Sequence, residues 1–561
     1  MSKRSTSVNR LLANSGRWKR CSTERWEWPC EGEANADTAS SNDGDRTRYP
    51  DGTYQACVKE SGRVSVKLGG IAGFVLSHVW DEAVFCFICP FHRCKQEGFT
   101  MNEMKRDNFK NRAGFILACI GSAVGMGNIW RFPVLVSAYG GMTFLIPYII
   151  FVVLIASTGV MEEFALGRWA GAGPVDAFGK CTEQRGNRRS GELIGAIPVI
   201  GSMMLAIGYT VVMGWIFKYC FMGISGGLYA LGTDMGSIGG AFGATAPEAQ
   251  RLGEAVGMMF SQGLFTLGNG VWQVIGLACA LVIMALGVSG GIERVNKIMM
   301  PLLFGLFLCL CVYIATLPGS GAGYRYIFTL NPAGLADPIV WVFAFGQAFF
   351  SLSVAGNGSV IYGSYLKKDE DIPLSARNVA IFDTLAALLA AFVIIPAMAV
   401  GGAELSKGGP GLMFVYLVNV FNGMAGGRIV GMIFFICVLF AGFSSIVNLY
   451  EAPVAFMQEK LHMKRIPAVA VIGAVGAFIS LIIQPWTSQW MDVVSIYICP
   501  LGALLAGIMF FWVLKKETAL EAVNCGAKRP IGKAFYAIGR YGYCVLALVA
   551  LILGAKLGGI G

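Results

Sequence analysis

The sequence predicts an all-helical membrane protein that crosses the bilayer many times, and three observations make that prediction. Only 14% of the 561 residues are charged and 55% are hydrophobic, whereas soluble domains carry about 25% charge. Apolar runs long enough to cross a hydrocarbon layer, about 20 residues each, recur from residue 113 onward. Lysine and arginine concentrate in alternate connections between these runs, as in loops sorted across a membrane. An ordinary soluble fold is excluded, and so is a disordered chain, which requires low hydrophobicity.

Residues 1–104 stand apart from the rest. They mix charge, Trp, Ser and Gly without a sustained period, and no apolar h-region follows the first basic residues. The longest apolar stretch, Gly69 to Val79, is too short to span and meets Trp80, Asp81 and Glu82. Cys86, Cys89, His92 and Cys94 have only a loose zinc-like spacing. This segment is expected to be a disordered or non-native extension preceding a transporter core at 105–561, with Met101 and Met104 as alternative starts. The core holds ten of the sixteen cysteines, mostly singly inside apolar runs, such as Cys119, Cys220, Cys279 and Cys437. There a thiol serves as a small hydrophobe.

Eleven spans follow in order: 113–134, 142–168, 193–224, 271–289, 296–317, 338–365, 378–402, 428–460, 467–484, 491–514 and 535–557. Without water in the hydrocarbon region the backbone must satisfy itself, so each span is a helix. The alternating ten-residue strands of a barrel are absent. Placing the N-terminal side in the cytoplasm puts eighteen basic residues in inner connections. These are Lys180, Arg185, Arg188, Arg189, Arg294, Lys297, Lys367, Lys368, Arg377, Lys460, Lys464, Arg465, Lys515, Lys516, Lys528, Arg529, Lys533 and Arg540. Outer connections hold four: Arg251, Arg325, Lys407 and Arg428. The net charge of +10 is thus a topology signal rather than a nucleic-acid footprint, and the chain is placed in the inner (plasma) membrane as a multi-pass protein.

Two spans carry residues that do not suit a continuous membrane helix. The first contains Gly121-Ser-Ala-Val-Gly125-Met-Gly127-Asn128, and the sixth Ser351-Leu-Ser353-Val-Ala-Gly356-Asn357-Gly358-Ser359. Glycine alone is often a packing device in membrane helices. The pair, first in spans 1–5 and first in spans 6–10, points instead to an inverted-repeat transporter with its site at the midplane. Unwound backbone offers carbonyls to a small cation, and broken helix ends offer N–H groups to a carboxylate. The predicted fold is therefore an inverted five-helix repeat plus one C-terminal helix, with helices 1 and 6 broken.

Arg112-Ala-Gly-Phe-Ile-Leu-Ala through Gly125-Met-Gly127-Asn128-Ile-Trp130-Arg131-Phe132-Pro133 resembles the first helix of the neurotransmitter:sodium symporter family, whose transporter helices are broken at the midplane. Glu163 to Arg168, Gly291 to Glu293, Lys297 to Pro301, Gly346 to Ser353 and Ala441 to Ser445 are similar to further family stretches. The likeness runs from about residue 104 to the end, in the bacterial eleven-helix form. It implies a sodium-coupled amino-acid symporter with two sodium ions. One sodium site would comprise Ala123, Asn128, Ser351 and Asp383, with Asp383 standing where the family usually has Asn. The other would comprise Gly121, Val124, Ala441, Ser444 and Ser445.

The resemblance further implies chloride independence, because Asp383 supplies its own charge and Ala387 replaces the family's chloride-binding Ser. The substrate would meet Ala123, Gly125, Gly127, Leu205, Tyr209, Phe350, Ser351, Ser353, Gly356 and Leu449. Gly356, where a leucine-transporting relative has an aromatic ring, leaves room for an aromatic or other hydrophobic side chain. Arg131 and Asp492 would form the outer gate, and Arg106, Tyr365 and Glu459 the inner closure. Glu163 would either pair with the break in helix 6 or make a generic buried hydrogen bond. No partner beyond the substrate and the lipid bilayer is called for, and no oligomer is required. An intramembrane enzyme is disfavoured, since the core holds a single histidine, His462. A sodium-dependent sensor that binds without transporting is the alternative.

Overall fold

The computed structural model describes residues 112–354, 357–402 and 411–557. Regular structure among them is helical throughout. The principal helices are α1 (Arg112–Ala123), α2 (Gly127–Tyr139), α3 (Met142–Ala170), α4 (Pro174–Glu183), α5 (Arg188–Ser225), α6 (Gly270–Ala285), α7 (Val288–Ala315), α8 (Pro338–Ser351), α9 (Gly358–Ser364), α10 (Ile372–Val400), α11 (Gly427–Lys460), α12 (Arg465–Ile483), α13 (487–513) and α14 (Lys533–Lys556). Every span expected from hydropathy coincides with one of these helices or a pair of them.

By length and composition, seven described helices can cross a membrane, and the bent pair α1–α2 makes an eighth. This is fewer than eleven, for identifiable reasons. Helix α6 has only 16 residues, and α8 and α9 are each too short alone. The apolar run Arg465–Val513 counts once although it has 49 residues. A single helix of that length would extend about 74 Å at 1.5 Å per residue, more than twice the hydrocarbon thickness of about 30 Å. A tight turn at Gln484–Trp486, carrying Pro485, divides it into α12 and α13.

Local chemistry marks the helix ends. Asn187, Asp337 and Asp371 cap α5, α8 and α10 by accepting the N–H groups of Ser190, Ile339 and Leu374. Helices α2 and α3 end on the left-handed glycines Gly140 and Gly171. Burial is arranged for lipid rather than water. Val153, Val282, Val312 and Phe478 are exposed, while Asn128, Glu162, Glu163, Asp383 and Glu451 are buried between helices.

Packing brings the broken helices against their neighbours. Helix α5 lies along α4 and α11, α9 along α3, and α7 along α1. The α3–α9 approach depends on glycine. A Cβ on Gly167 would stand 2.0 Å from the Val360 carbonyl oxygen, and one on Gly363 would stand 2.5 Å from that of Phe164. Small residues that let two backbones touch are the usual means of tight helix association in lipid.

Candidate functional site

Both interrupted segments are interrupted in the structure. Helix α1 ends at Ala123 and α2 begins at Gly127, with a 51° bend between them. Helix α8 ends at Ser351 and α9 begins at Gly358, and Ser353 and Asn357 on either side hold left-handed backbone (φ 56° and 52°). Such conformations are uncommon for residues other than glycine and concentrate where the surrounding structure enforces them. The two breaks meet. The Ser353 hydroxyl donates to the Ser122 carbonyl at 2.7 Å, and the Gln347 amide donates to the Gly127 carbonyl at 3.1 Å.

A first polar cluster forms where α2, α8 and α10 converge. Asn128 donates through Nδ2 to Asp383 Oδ1 at 2.7 Å, and its Oδ1 accepts the Gly125 N–H at 2.9 Å. Ser351 Oγ donates to Asp383 Oδ2 at 2.8 Å. Both carboxylate oxygens therefore hold a donor in a site closed to solvent, the condition under which a buried charge is tolerated. The donor set is all oxygen: a carboxylate, a hydroxyl and an amide oxygen. That set suits a hard cation. The Asn128 oxygen has a second lone pair, so it can face a cation while it keeps the Gly125 N–H.

A second cluster joins α11 to the first break. Ser444 Oγ donates to the Val124 carbonyl at 3.0 Å and to the Ala441 carbonyl at 2.9 Å, so a hydroxyl and a carbonyl of α11 converge with a carbonyl of the first break. Ser445 Oγ approaches Gly125 so closely that a Cβ there would stand 2.1 Å away.

Between the clusters lies a cavity of about 50 Å³. Ala123, Gly125, Gly127, Leu205, Tyr209, Phe350, Ser351, Ser353 and Leu449 line it, all of them expected from the sequence. Ser122, Met126, Gly358, Ser445 and Asn448 line it as well. The side-chain oxygen of Asn448 is buried there and has no hydrogen-bond partner among the described residues. Gly356 lies outside the described residues.

Charged and aromatic side chains bound the cavity region. The Arg131 guanidinium sits 4.7 Å from the centroid of the Phe350 ring and within electrostatic reach of Asp492 and Tyr209. On the other side Tyr365, at the end of α9, donates to Glu451 at 2.8 Å. Glu451 is held by both terminal nitrogens of Arg465, at 2.9 and 2.8 Å. Glu459 accepts the Gly173 N–H at 2.9 Å, and Arg106 lies outside the described residues. Glu163 meets the start of α9. Its Oε1 accepts from Asn357 Nδ2 at 3.2 Å, and its Oε2 is buried without a hydrogen-bond partner among the described residues.

Residues 106–229 and 249–536 match the sodium:neurotransmitter symporter family. The chain belongs to this family. An uncharacterized sodium-dependent transporter of Methanocaldococcus jannaschii is 30% identical over 437 residues, 76% of this chain and 85% of that one. The uncharacterized sodium-dependent transporter YhdH of Bacillus subtilis is 29% identical over 455 residues, 78% of this chain and 94% of its own length. The crystal structure of MhsT in complex with L-phenylalanine superposes with a TM-score of 0.69 at 31% identity, covering 80% of this chain and all of MhsT. The protein is thus a sodium-dependent membrane transporter and not an enzyme.

Within this symporter, Asn128, Ser351 and Asp383 are brought into mutual contact, and Val124, Ala441 and Ser444 likewise. Gly121 faces Asn296, whose side-chain oxygen would lie 2.2 Å from a Cβ at that position. Sequence reasoning missed the cavity member Asn448, although it stands four residues after Ser444 and so on the same helical face. It also missed Glu451, detectable as an acid inside the apolar run 428–460.

Proposed function

We propose that this symporter carries hydrophobic or aromatic L-amino acids together with two sodium ions, by alternating access and without chloride. The observation that carries the reading is the Asn128–Ser351–Asp383 cluster beside a cavity bounded by both broken helices. Oxygen ligands of this kind suit sodium, with Ala123 completing the first site and Gly121, Val124, Ala441, Ser444 and Ser445 forming the second. Asp383 brings the negative charge that a bound anion would otherwise supply. Ala387, buried on α10 one turn further on, has no group to hold chloride.

The substrate's carboxylate would lie against the first sodium and the Tyr209 hydroxyl, and its side chain among Leu205, Phe350 and Leu449. The Phe350 ring, under Arg131, would be the outer lid, with Asp492 joining Arg131 when the path closes. Arg106, Tyr365 and Glu459 would close the inner path. The likeness to MhsT, solved with L-phenylalanine, and the absence of a side chain at Gly356 favour a large apolar substrate. The architecture that goes with this function is eleven spans, α1–α2 through α14, with α8 and α9 as one span and α4 left out. The two halves would be inverted repeats, the N-terminal side cytoplasmic in the plasma membrane, with residues 1–104 dispensable and no oligomer required.

Uptake of labelled amino acids into proteoliposomes, with sodium and chloride replaced in turn, tests the reading. Sodium-dependent, chloride-independent uptake of aromatic or branched amino acids is expected. A chloride requirement would overturn the role given to Asp383. Sodium-dependent binding without counterflow would make the protein a sensor instead.

A further inference from the structure

Helices α3 and α10 enclose a groove of about 890 Å³ that shares no lining residue with the central cavity. Short side chains create it: Ala156 and Ala380 are buried in it, while Val153, Ile381 and Leu385 stand exposed along it. At one end it is lined by three cations, Arg377 on α10 and Lys528 and Arg529 in the connection before α14. All three are exposed. Among the described residues none has a carboxylate within ion-pair distance. Asp371, which also lines this end, is occupied by backbone. It accepts the N–H of Leu374 at 3.1 Å and the N–H of Lys528 at 3.2 Å.

The dimensions fit one leaflet. Arg377 and Leu388, both lining the groove, are separated by about 16 Å along α10 at 1.5 Å per residue. Half of a hydrocarbon core of about 30 Å is close to that distance. A headgroup at the cations would therefore leave its acyl chain lying in the apolar part. Three cations against the single carboxylate of Asp371 leave a net positive end, which favours a net-negative headgroup over a zwitterionic one, whose own cation it would repel. Basic pockets between membrane helices on the cytoplasmic side are the kind of site that takes anionic lipid.

We propose that this groove binds an anionic phospholipid of the cytoplasmic leaflet, its phosphate held by Arg377, Lys528 and Arg529 and an acyl chain packed along Val153, Ile381 and Leu385. From the proposed function the inference takes only the orientation that puts these basic residues inside. Thr384, which lines the groove, directly follows Asp383 on α10. An occupied groove would thus brace the helix that carries the first polar cluster.

Native mass spectrometry of the full chain tests this, after exchange from vesicles of equimolar phosphatidylglycerol and phosphatidylcholine. Selective retention of phosphatidylglycerol is expected. Removing one cation by Arg377→Gln should weaken retention about five-fold, and removing all three (R377Q, K528Q, R529Q) on the order of 100-fold, at about 1 kcal/mol per basic residue. Ala380→Trp, which fills the groove without changing charge, should also release the lipid; thermal unfolding of each variant reports whether the fold persists. Equal retention of phosphatidylcholine, an unchanged triple variant, or displacement of the lipid by inorganic phosphate alone would overturn the proposal. The measurement needs neither sodium nor substrate, so its failure is separate from a failure of the transport reading.

Discussion

Asn128 and Asp383 are 255 residues apart in sequence and joined by a 2.7 Å hydrogen bond. With Ser351 on the other carboxylate oxygen, Asp383 is the one charge in a cluster of neutral oxygen donors. Asp383→Asn keeps the shape and removes the charge. Hydrogen bonds to charged groups contribute roughly 1.5–3 kcal/mol, so the sodium concentration for half-maximal uptake should rise about ten-fold or more. A sodium titration of uptake checks this, and an unchanged midpoint would remove Asp383 from the ion site.

Gly125 lies under Ser445, with 2.1 Å between the serine hydroxyl and the position of an added Cβ. Gly125→Ala therefore forces Ser445 or the first break to move, and uptake should fall by about ten-fold or more, given overpacking costs of roughly 1–3 kcal/mol. Adding Ser445→Ala removes the clashing oxygen. At saturating sodium, which offsets the loss of the Ser445 hydroxyl from the proposed second site, the double variant should recover substrate binding, measured by equilibrium dialysis, above the level of Gly125→Ala. Recovery would place the defect in that contact, whereas equal loss in both would place it in the backbone of the break.

The spans were legible because hydropathy over 20 residues is a strong signal and lipid leaves no alternative to helices. The breaks were legible because glycine, serine and asparagine cluster where a helix should be most regular. The boundary between α12 and α13 was legible as the gap between the runs 467–484 and 491–514, and the structure puts the turn with Pro485 there. What could not be read was contact across the bundle. The pairing of Asn128 with Asp383 came from resemblance, not from any period in the sequence. That Tyr365 donates to Glu451 depends on how α9 lies against α11, which no local pattern encodes.

The adjacent acids Glu162 and Glu163 should respond in opposite ways to substitution. Glu163 accepts from Asn357 through one of its carboxyl oxygens. Both carboxyl oxygens of Glu162 are buried without a hydrogen-bond partner among the described residues. Replacing an unsatisfied polar group by an apolar one of similar shape is neutral or stabilising, while stranding buried donors costs about 1–3 kcal/mol each. Glu162→Leu should leave the melting temperature unchanged or raise it, and Glu163→Leu should lower it. Equal losses would mean that Glu162 is satisfied by a group outside the described residues.

Lys460 bridges Asp176 of α4, at 2.7 Å, and Glu192 of α5, at 2.8 Å, and Arg188 reaches the same two acids. Burial pushes the Asp176 carboxyl up, but Lys460 and then Arg188 outweigh it and hold it below the usual aspartate range. A depressed folded value contributes stability above the unfolded pKa of about 3.9 and loses it as pH falls through the lower folded value. The contribution should therefore be constant from about pH 8 to 5 and disappear below about pH 4. Lys460→Met should cost roughly 1 kcal/mol at neutral pH, as expected of a partly exposed pair, and flatten the acid limb. Thermal unfolding as a function of pH tests both, and an acid limb identical to wild type would count against the assignment.

Tyr365 and Arg465 share one fully buried carboxylate, Glu451, yet they should matter differently. Losing the acid removes the negative charge opposite the Arg465 guanidinium, whose side chain is only 13% exposed. Breaking a buried pair in this way costs about 3–5 kcal/mol, so Glu451→Gln should destabilise the whole bundle. Tyr365→Phe removes a single hydrogen bond to a charged group, about 1.5–3 kcal/mol, and does so at the end of α9, a helix of 7 residues. The loss should appear as local opening: amide exchange in α9 should accelerate about ten-fold or more, while α11 keeps its protection. Hydrogen–deuterium exchange read by mass spectrometry separates the two cases. Faster exchange spread evenly over α9 and α11 would mean that Tyr365 supports the fold as a whole rather than fastening the short helix beside the second break.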